Sequence, residues 1–192
     1  YPAKGNFNPK QGTLELWARV EFDPNVPVKP DDPGRGQYNR SLFGVRFPDG
    51  DWINLYWNID VRGLRFFLKK GQEYPLMLDS AQSWKKGELH HIAISWGDTA
   101  RIFVDGKEVA SRAFNGTLDK DMGSAVIEFG EGPCEFAVDE IRISDIARAP
   151  RDFERELVAD EHTLLLYHLH ETFQHDGGKQ TRAAKIAPAA RA

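Results

Sequence analysis

The chain has 192 residues, 41% hydrophobic and 28% charged, an ordinary globular composition with enough length for one sizeable domain or two small ones. Its net charge of −4 and pI of about 5.9 argue against a nucleic-acid-binding surface, and no apolar run reaches the ~20 residues that a membrane-spanning helix needs. Cys134 is the only cysteine, which excludes an internal disulfide and fits a cytosolic or a disulfide-free exported protein equally well.

The chain opens at Tyr1 rather than Met and is expected to be an excised piece or a mature product. Its first regular element is "GTLELWARVEF", where Leu14, Leu16, Ala18, Val20 and Phe22 alternate with Glu15, Trp17, Arg19 and Glu21. Strict alternation predicts a strand with one buried face. The Pro-, Asp- and Gly-rich run over residues 23–37 predicts a long loop. "DWINLYWNID" is again a strand, with Ile53, Leu55, Trp57 and Ile59 on one side and Trp52, Asn54, Tyr56 and Asn58 on the other. "RGLRFFLKKG" sets Leu64, Phe66 and Leu68 against Arg65, Phe67 and Lys69, and "LHHIAISWGD" sets His90, Ile92, Ile94 and Trp96 against His91, Ala93 and Ser95. "ARIFVDGKEVA" reads as a hairpin, because Asp105-Gly106 suits a two-residue turn with positive φ at both positions. "AVIEFG" and "CEFAVDEIRIS" are two further strands, the latter with Asp139 on the side of Ala137, Ile141 and Ile143. "IARAPRDFEREL" predicts one short helix starting near Pro150. "HTLLLYHLHE" predicts a last strand that pairs in the sheet beside the N-terminal segment. A polar, then Ala-rich tail follows from Asp176. Short strands at this spacing predict an all-β fold rather than a βαβ sheet.

Four of these pieces, in this order, carry a family resemblance: "GTLELWARV", "KKGELHHIAISW", "RIFVDGKEVA" and "FAVDEIRISDIARAPRDFE". Together they resemble the laminin-G-like, concanavalin-A-like lectin/glucanase superfamily over roughly residues 12–157. Leu89 stands where the family usually has Trp, and the loop over 23–37 is unusually long. The resemblance implies an antiparallel two-sheet β-sandwich of jelly-roll type, with one short helix near the C-terminal end. It implies one domain over residues 1–175, with 176–192 as a tail or linker toward a further module.

Members of that superfamily include glycoside hydrolases and polysaccharide lyases, so catalytic residues must be sought. A retaining glycosidase needs two carboxylates ~5–5.5 Å apart, and no Glu-x-Asp-x-Glu cluster exists on one strand face. Glu15 and Glu21 share a face but are separated by three pleats. Nucleophile elbows, phosphate loops and Cys-x-x-Cys pairs are absent. No catalytic residue is assigned, and the enzyme question leans to no. His168 and His170 lie two apart on a strand and could form a metal pair, but no third ligand stands at a fixed spacing, so no metal site is assigned. His90 and His91 are read as structural. Asp23, Asp31 and Asp32 in the long loop match no defined calcium loop; the resemblance alone keeps a calcium ion as an option.

There remains the odd face of residues 51–60. Sugars present apolar C–H surfaces rimmed by hydroxyls; an aromatic ring covers the first and an amide donates to and accepts from the second. Trp52, Asn54, Tyr56 and Asn58, extended by Arg65 and Phe67 on the neighbouring strand, are therefore the candidate carbohydrate-binding residues, given coplanar exposed rings. Periodicity leaves open whether this face is outside or covered by the second sheet, a loop or the tail. The expected function is a non-catalytic, lectin-like module of a larger extracellular or cell-surface protein, bacterial in origin, with a glycan partner and covalently linked neighbours. A protein-interaction module of the same fold and an unrecognised glycan-active enzyme are the alternatives.

Overall fold

The computed structural model describes residues 1–29, 31–114, 122–130, 134–150 and 156–168. Eleven strands follow one another: β1 Gly12–Val20, β2 Arg40–Arg46, β3 Trp52–Asn58, β4 Gly63–Lys70, β5 Glu73–Ala81, β6 Leu89–Trp96, β7 Thr99–Val104, β8 Lys107–Ala113, β9 Val126–Phe129, β10 Phe136–Ser144 and β11 Thr163–Tyr167. They form a six-stranded sheet, β11-β10-β1-β6-β7-β8, and a five-stranded sheet, β5-β4-β3-β2-β9. Every pairing is antiparallel. This is the two-sheet jelly-roll sandwich that the resemblance implied.

The inner faces follow the alternation. Leu14, Leu16, Ala18, Val20 and Phe22 are buried, as are Ile53, Leu55 and Trp57 on β3 and Leu64, Phe66 and Leu68 on β4. Trp57 packs against Trp84 and, edge-on, Phe22, with centroids 5.4 and 5.6 Å away. Trp52, Asn54 and Tyr56 therefore point away from the second sheet. The hairpin turn is as expected, with Asp105 at φ 49° and Gly106 at φ 74°. The Asp105 carboxylate accepts the His91 backbone N–H at 3.0 Å and lies 2.9 Å from His90 Nδ1, tying the turn back to β6.

Four elements depart from the sequence reading. β2 and β5 were not legible as strands: Gly44 interrupts the first, and Pro75 sits in the second. Pro75 is tolerated because β5 is the edge of its sheet. On β10 the alternation breaks at Glu140, whose φ is 50°, opposite a register shift between Glu15 and Trp17. This β-bulge turns Asp139 to the outer face beside Trp17, away from Ile141 and Ile143, and its Oδ1 accepts the Glu140 N–H at 2.8 Å. β11 does pair in the sheet, but with β10; the N-terminal segment touches it through Tyr1, whose hydroxyl is 3.2 Å from that of Tyr167. That bond pushes the Tyr1 phenol up to about 12. The expected helix near Pro150 and the tail from Asp176 fall on or largely on residues outside those described.

The outer faces of the two sheets differ. On the six-stranded sheet, residues 145–150 and 156–160 lie across β1 and β10. Thr13 Oγ1 accepts the Arg148 N–H at 2.8 Å, Arg148 pairs with Asp160 through bonds of 2.7 and 3.0 Å, and Leu157 is buried. Beneath them Glu15, 2% exposed, takes two bonds from Arg142 at 2.8 and 2.6 Å. The Arg148 guanidinium holds Asp160 well below the usual carboxylate range. Among the described residues, the outer face of the five-stranded sheet carries no such cover.

Candidate functional site

On that open face β3, β4 and β5 hold a groove of about 550 Å³. Phe67 forms its floor. The ring is 5% exposed because three aromatic neighbours surround it. Trp52 stands at 88° to it with centroids 5.1 Å apart, Tyr56 at 87° and 5.7 Å, and Tyr74 at 67° and 5.6 Å. Edge-to-face contacts of this kind are favourable pairings for aromatic rings. Phe67 is therefore coplanar with none of its three neighbours, and the rings make a walled cleft around it. Trp52 and Tyr56 are half-buried and Tyr74 is 49% exposed, so their free surfaces face solvent.

Polar groups are fixed around these rings. The Arg46 guanidinium lies 4.2 Å from the Trp52 ring centroid and is bonded to Glu128 on β9 at 2.9 Å. It stabilises the indole through its π face and occupies that face. Arg65 makes a bidentate pair with Asp79 on β5, at 2.6 and 2.8 Å, and Asp79 first, then Tyr56, hold its pKa above the ordinary arginine value against the effect of burial. Bidentate geometry of this kind orders the guanidinium. Asn54, 1% exposed, donates from Nδ2 to Ser41 Oγ at 3.2 Å. Gly44 on β2 leaves the space these groups use: a Cβ there would lie 3.0 Å from Trp52 Nε1 and 3.4 Å from Asn54 Nδ2. The 3-10 turn Arg35–Tyr38, at the end of the long loop, brings Gly36 and Gln37 to the rim.

Of the six residues singled out from sequence, Trp52, Asn54, Tyr56, Arg65 and Phe67 line the groove. Asn58 does not. Its Oδ1 accepts the Asp60 and Val61 N–H groups at 3.0 and 2.9 Å, closing the β3–β4 turn, and its Nδ2 donates to Tyr56 Oη at 3.1 Å. Its influence on the groove runs through the Tyr56 hydroxyl. Ser41, Arg46, Tyr74 and Met77 also line the groove and were missed, because β2 and β5 were not read as strands. Among the described residues no Asp or Glu lines it.

Elsewhere, Asp23 and Asp32 close turns of their own loop, accepting the Asn25 and Gly34 N–H groups at 2.9 and 2.7 Å. Among the described residues no three metal-binding side chains meet in that loop. His90 stacks on Trp84 at 4.4 Å, His162 Nδ1 lies 3.0 Å from Asp145, and His168 lies against Glu140; His170 is outside the described residues.

Among solved structures the chain is similar to a candidate carbohydrate binding protein from Bacteroides ovatus, at 16% identity and TM-score 0.58, covering 95% of this chain and 50% of that one. It is also similar to a structure of botulinum neurotoxin type C, whose cell entry is dependent upon interaction with two ganglioside molecules, at 8% identity and TM-score 0.56, with 79% and 35% covered. The binding domain of Paraclostridial Mosquitocidal Protein 1 follows at 16% identity and TM-score 0.52, with 74% and 35% covered. The chain thus spans half the length of the first structure and about a third of the others, and at these identities the likeness is one of fold. No curated protein sequence matches. The model of the concanavalin A-like lectin/glucanases superfamily matches residues 2–152, and the chain belongs to that superfamily.

Proposed function

We propose that the chain binds a glycan, without catalysis, in the groove on the outer face of its five-stranded sheet. The observation that carries this reading is the groove itself: free surfaces of Trp52, Tyr56 and Tyr74 beside the fixed polar groups of Asn54 and Arg65, with Gln37 at the rim. Pockets of this volume with apolar walls and few oriented polar groups suit small ligands and sugar units. The cleft form favours a sugar entered between the rings, its C–H face on one wall, over a chain lying flat on a platform. Both arginines already hold carboxylates, so the groove offers little free positive charge and favours a neutral sugar over an acidic one. Among the described residues no carboxylate lines the groove, which favours binding over the paired-carboxylate route of glycosidic hydrolysis. The whole chain then acts as one sandwich module over residues 1–175, with 176–192 leading toward a neighbour, in an extracellular or cell-surface protein of bacterial origin. The similar structures that extend well past it are in keeping with a modular setting.

The test is a glycan array with the parent chain and Trp52→Ala. Loss of the ring removes most of the apolar contact a weak binder relies on, since association is itself costly. The parent is expected to be retained by a neutral glycan and the variant to lose retention with its circular dichroism spectrum unchanged. Equal retention of both, or retention of neither across a broad array, sinks the reading.

A further inference from the structure

On the other sheet, at the bulge in β10, three side chains from three segments converge. Glu140 comes from the bulge, Glu156 from the segment crossing the sheet, and His168 from the residue after β11. Their ligand atoms all lie within 4.8 Å of one another. His168 Nδ1 is 2.9 and 2.8 Å from the two Glu140 carboxylate oxygens and 3.4 Å from Glu156 Oε1. Glu140 is 8% exposed, and one of its oxygens accepts the Leu157 N–H at 3.1 Å. Among the described residues its carboxylate has no Arg or Lys partner, only the imidazole. A buried carboxylate without a permanent cation is a costly arrangement, and a second carboxylate beside it adds to the negative potential.

We propose that Glu140, Glu156 and His168 bind a divalent cation of the zinc class. The donor set decides the class. Calcium and magnesium take oxygen ligands throughout, whereas imidazole nitrogen with carboxylate oxygen suits zinc and its neighbours, with three protein ligands and an open fourth position. The geometry agrees. Bonds of ~2.0–2.2 Å at tetrahedral angles keep donor atoms roughly 3.3–3.6 Å apart. The Glu156–His168 separation is already there, and Glu140 and His168 need to part by only a few tenths of an ångström. Nδ1 then gives its lone pair to the metal and the ring hydrogen sits on Nε2. The ion neutralises the two carboxylates and ties β11 and the segment around Glu156 to β10. This site stands apart from the groove and does not depend on glycan binding.

The experiment uses the full chain without an affinity tag, stripped with a chelator and titrated with Zn²⁺ by calorimetry and with Co²⁺ by visible absorption. The expected result is one ion per chain, a tetrahedral-type Co²⁺ spectrum and a raised melting temperature with Zn²⁺. Glu156→Gln and His168→Gln should each weaken binding at least tenfold. Glu156 is largely exposed, so its variant keeps the fold. A His170→Ala/His175→Ala double variant should bind as the parent does. No stoichiometric binding, binding untouched by Glu156→Gln and His168→Gln, or binding lost only with His170 and His175 overturns the proposal.

Discussion

His91 should make the fold lose stability as pH falls, and the loss can be worked from its surroundings. The side chain is fully buried on β6, edge-on to Trp17 with ring centroids 5.4 Å apart. Burial pushes its pKa down to about 4; the nearby Asp105 pulls it up and Arg142 pushes it down. Glu15 Oε1 lies 4.0 Å from Nε2, but that carboxylate is held by Arg142. In the unfolded chain an ordinary histidine takes up its proton near pH 6.5. Between about pH 6.5 and about pH 4 the unfolded state therefore binds more protons than the folded one, and stability rises with pH across that window. The contribution is fully present above pH ~6.5 and is lost as pH falls. At ~1.36 kcal/mol per pH unit, about 2.5 kcal/mol is gone by about pH 4.5, a large share of the 5–15 kcal/mol typical of a domain. Urea unfolding at several pH values, on the parent and on His91→Gln, isolates the effect, since carboxylates titrate alike in both. The parent curve should fall more steeply by about 2.5 kcal/mol. Parallel curves would refute the assignment of a buried neutral imidazole.

Three further outcomes follow from single side chains. Trp57→Ala, on the core face, should cost about 3–5 kcal/mol in chemical denaturation, whereas Trp52→Ala should cost about 1–2 kcal/mol for its ring and cation–π contacts; a silent Trp57→Ala would mean the sheet is inside out. Gly106→Val places a β-branched residue at φ 74° and should lower stability by about 1–3 kcal/mol, which an unchanged melting temperature would contradict. Gly44→Ala puts a methyl 3.0 Å from Trp52 Nε1, so the indole must shift; glycan retention should fall several-fold with a melting temperature within a few degrees of the parent, and unaltered retention would show the Trp52 position to be unimportant.

Legibility in the sequence followed the clarity of the two-residue period. β1, β3 and β4 alternate without interruption, and their inner faces are those the pattern predicts. β2 and β5 were unreadable because an edge strand tolerates Pro75 and because Gly44 serves the groove rather than the core. With those strands went Ser41, Arg46, Tyr74 and Met77, a third of the residues that line the site. The bulge at Glu140 could not be read either, since an extra residue flips every later side chain. The three-ligand set at Glu140 was hidden for a related reason: its members come from positions 140, 156 and 168, and only the fold makes them neighbours.

A polar residue on a strand's second face has two fates, and local pattern does not separate them. Glu15 and Asn54 both alternate with core residues, and both end up almost wholly buried, at 2% and 1% exposed. Glu15 is covered by chain from more than a hundred residues later, which brings the arginine and the backbone groups that a buried carboxylate requires; Arg142 fills its valences, and nothing is left for a ligand. Asn54 has a neighbour in its own sheet, Ser41, as its hydrogen-bond partner among the described residues. It spends one amide hydrogen on Ser41 Oγ, while its Oδ1 accepts no bond from the described residues. Unfilled hydrogen-bonding capacity at the bottom of an aromatic cleft is what a sugar hydroxyl can use, because the alternative is a weakly satisfied acceptor that costs stability. That contrast, saturated charge under a strap on one sheet and spare amide capacity under open rings on the other, is the physical ground for proposing the five-stranded sheet as the binding face.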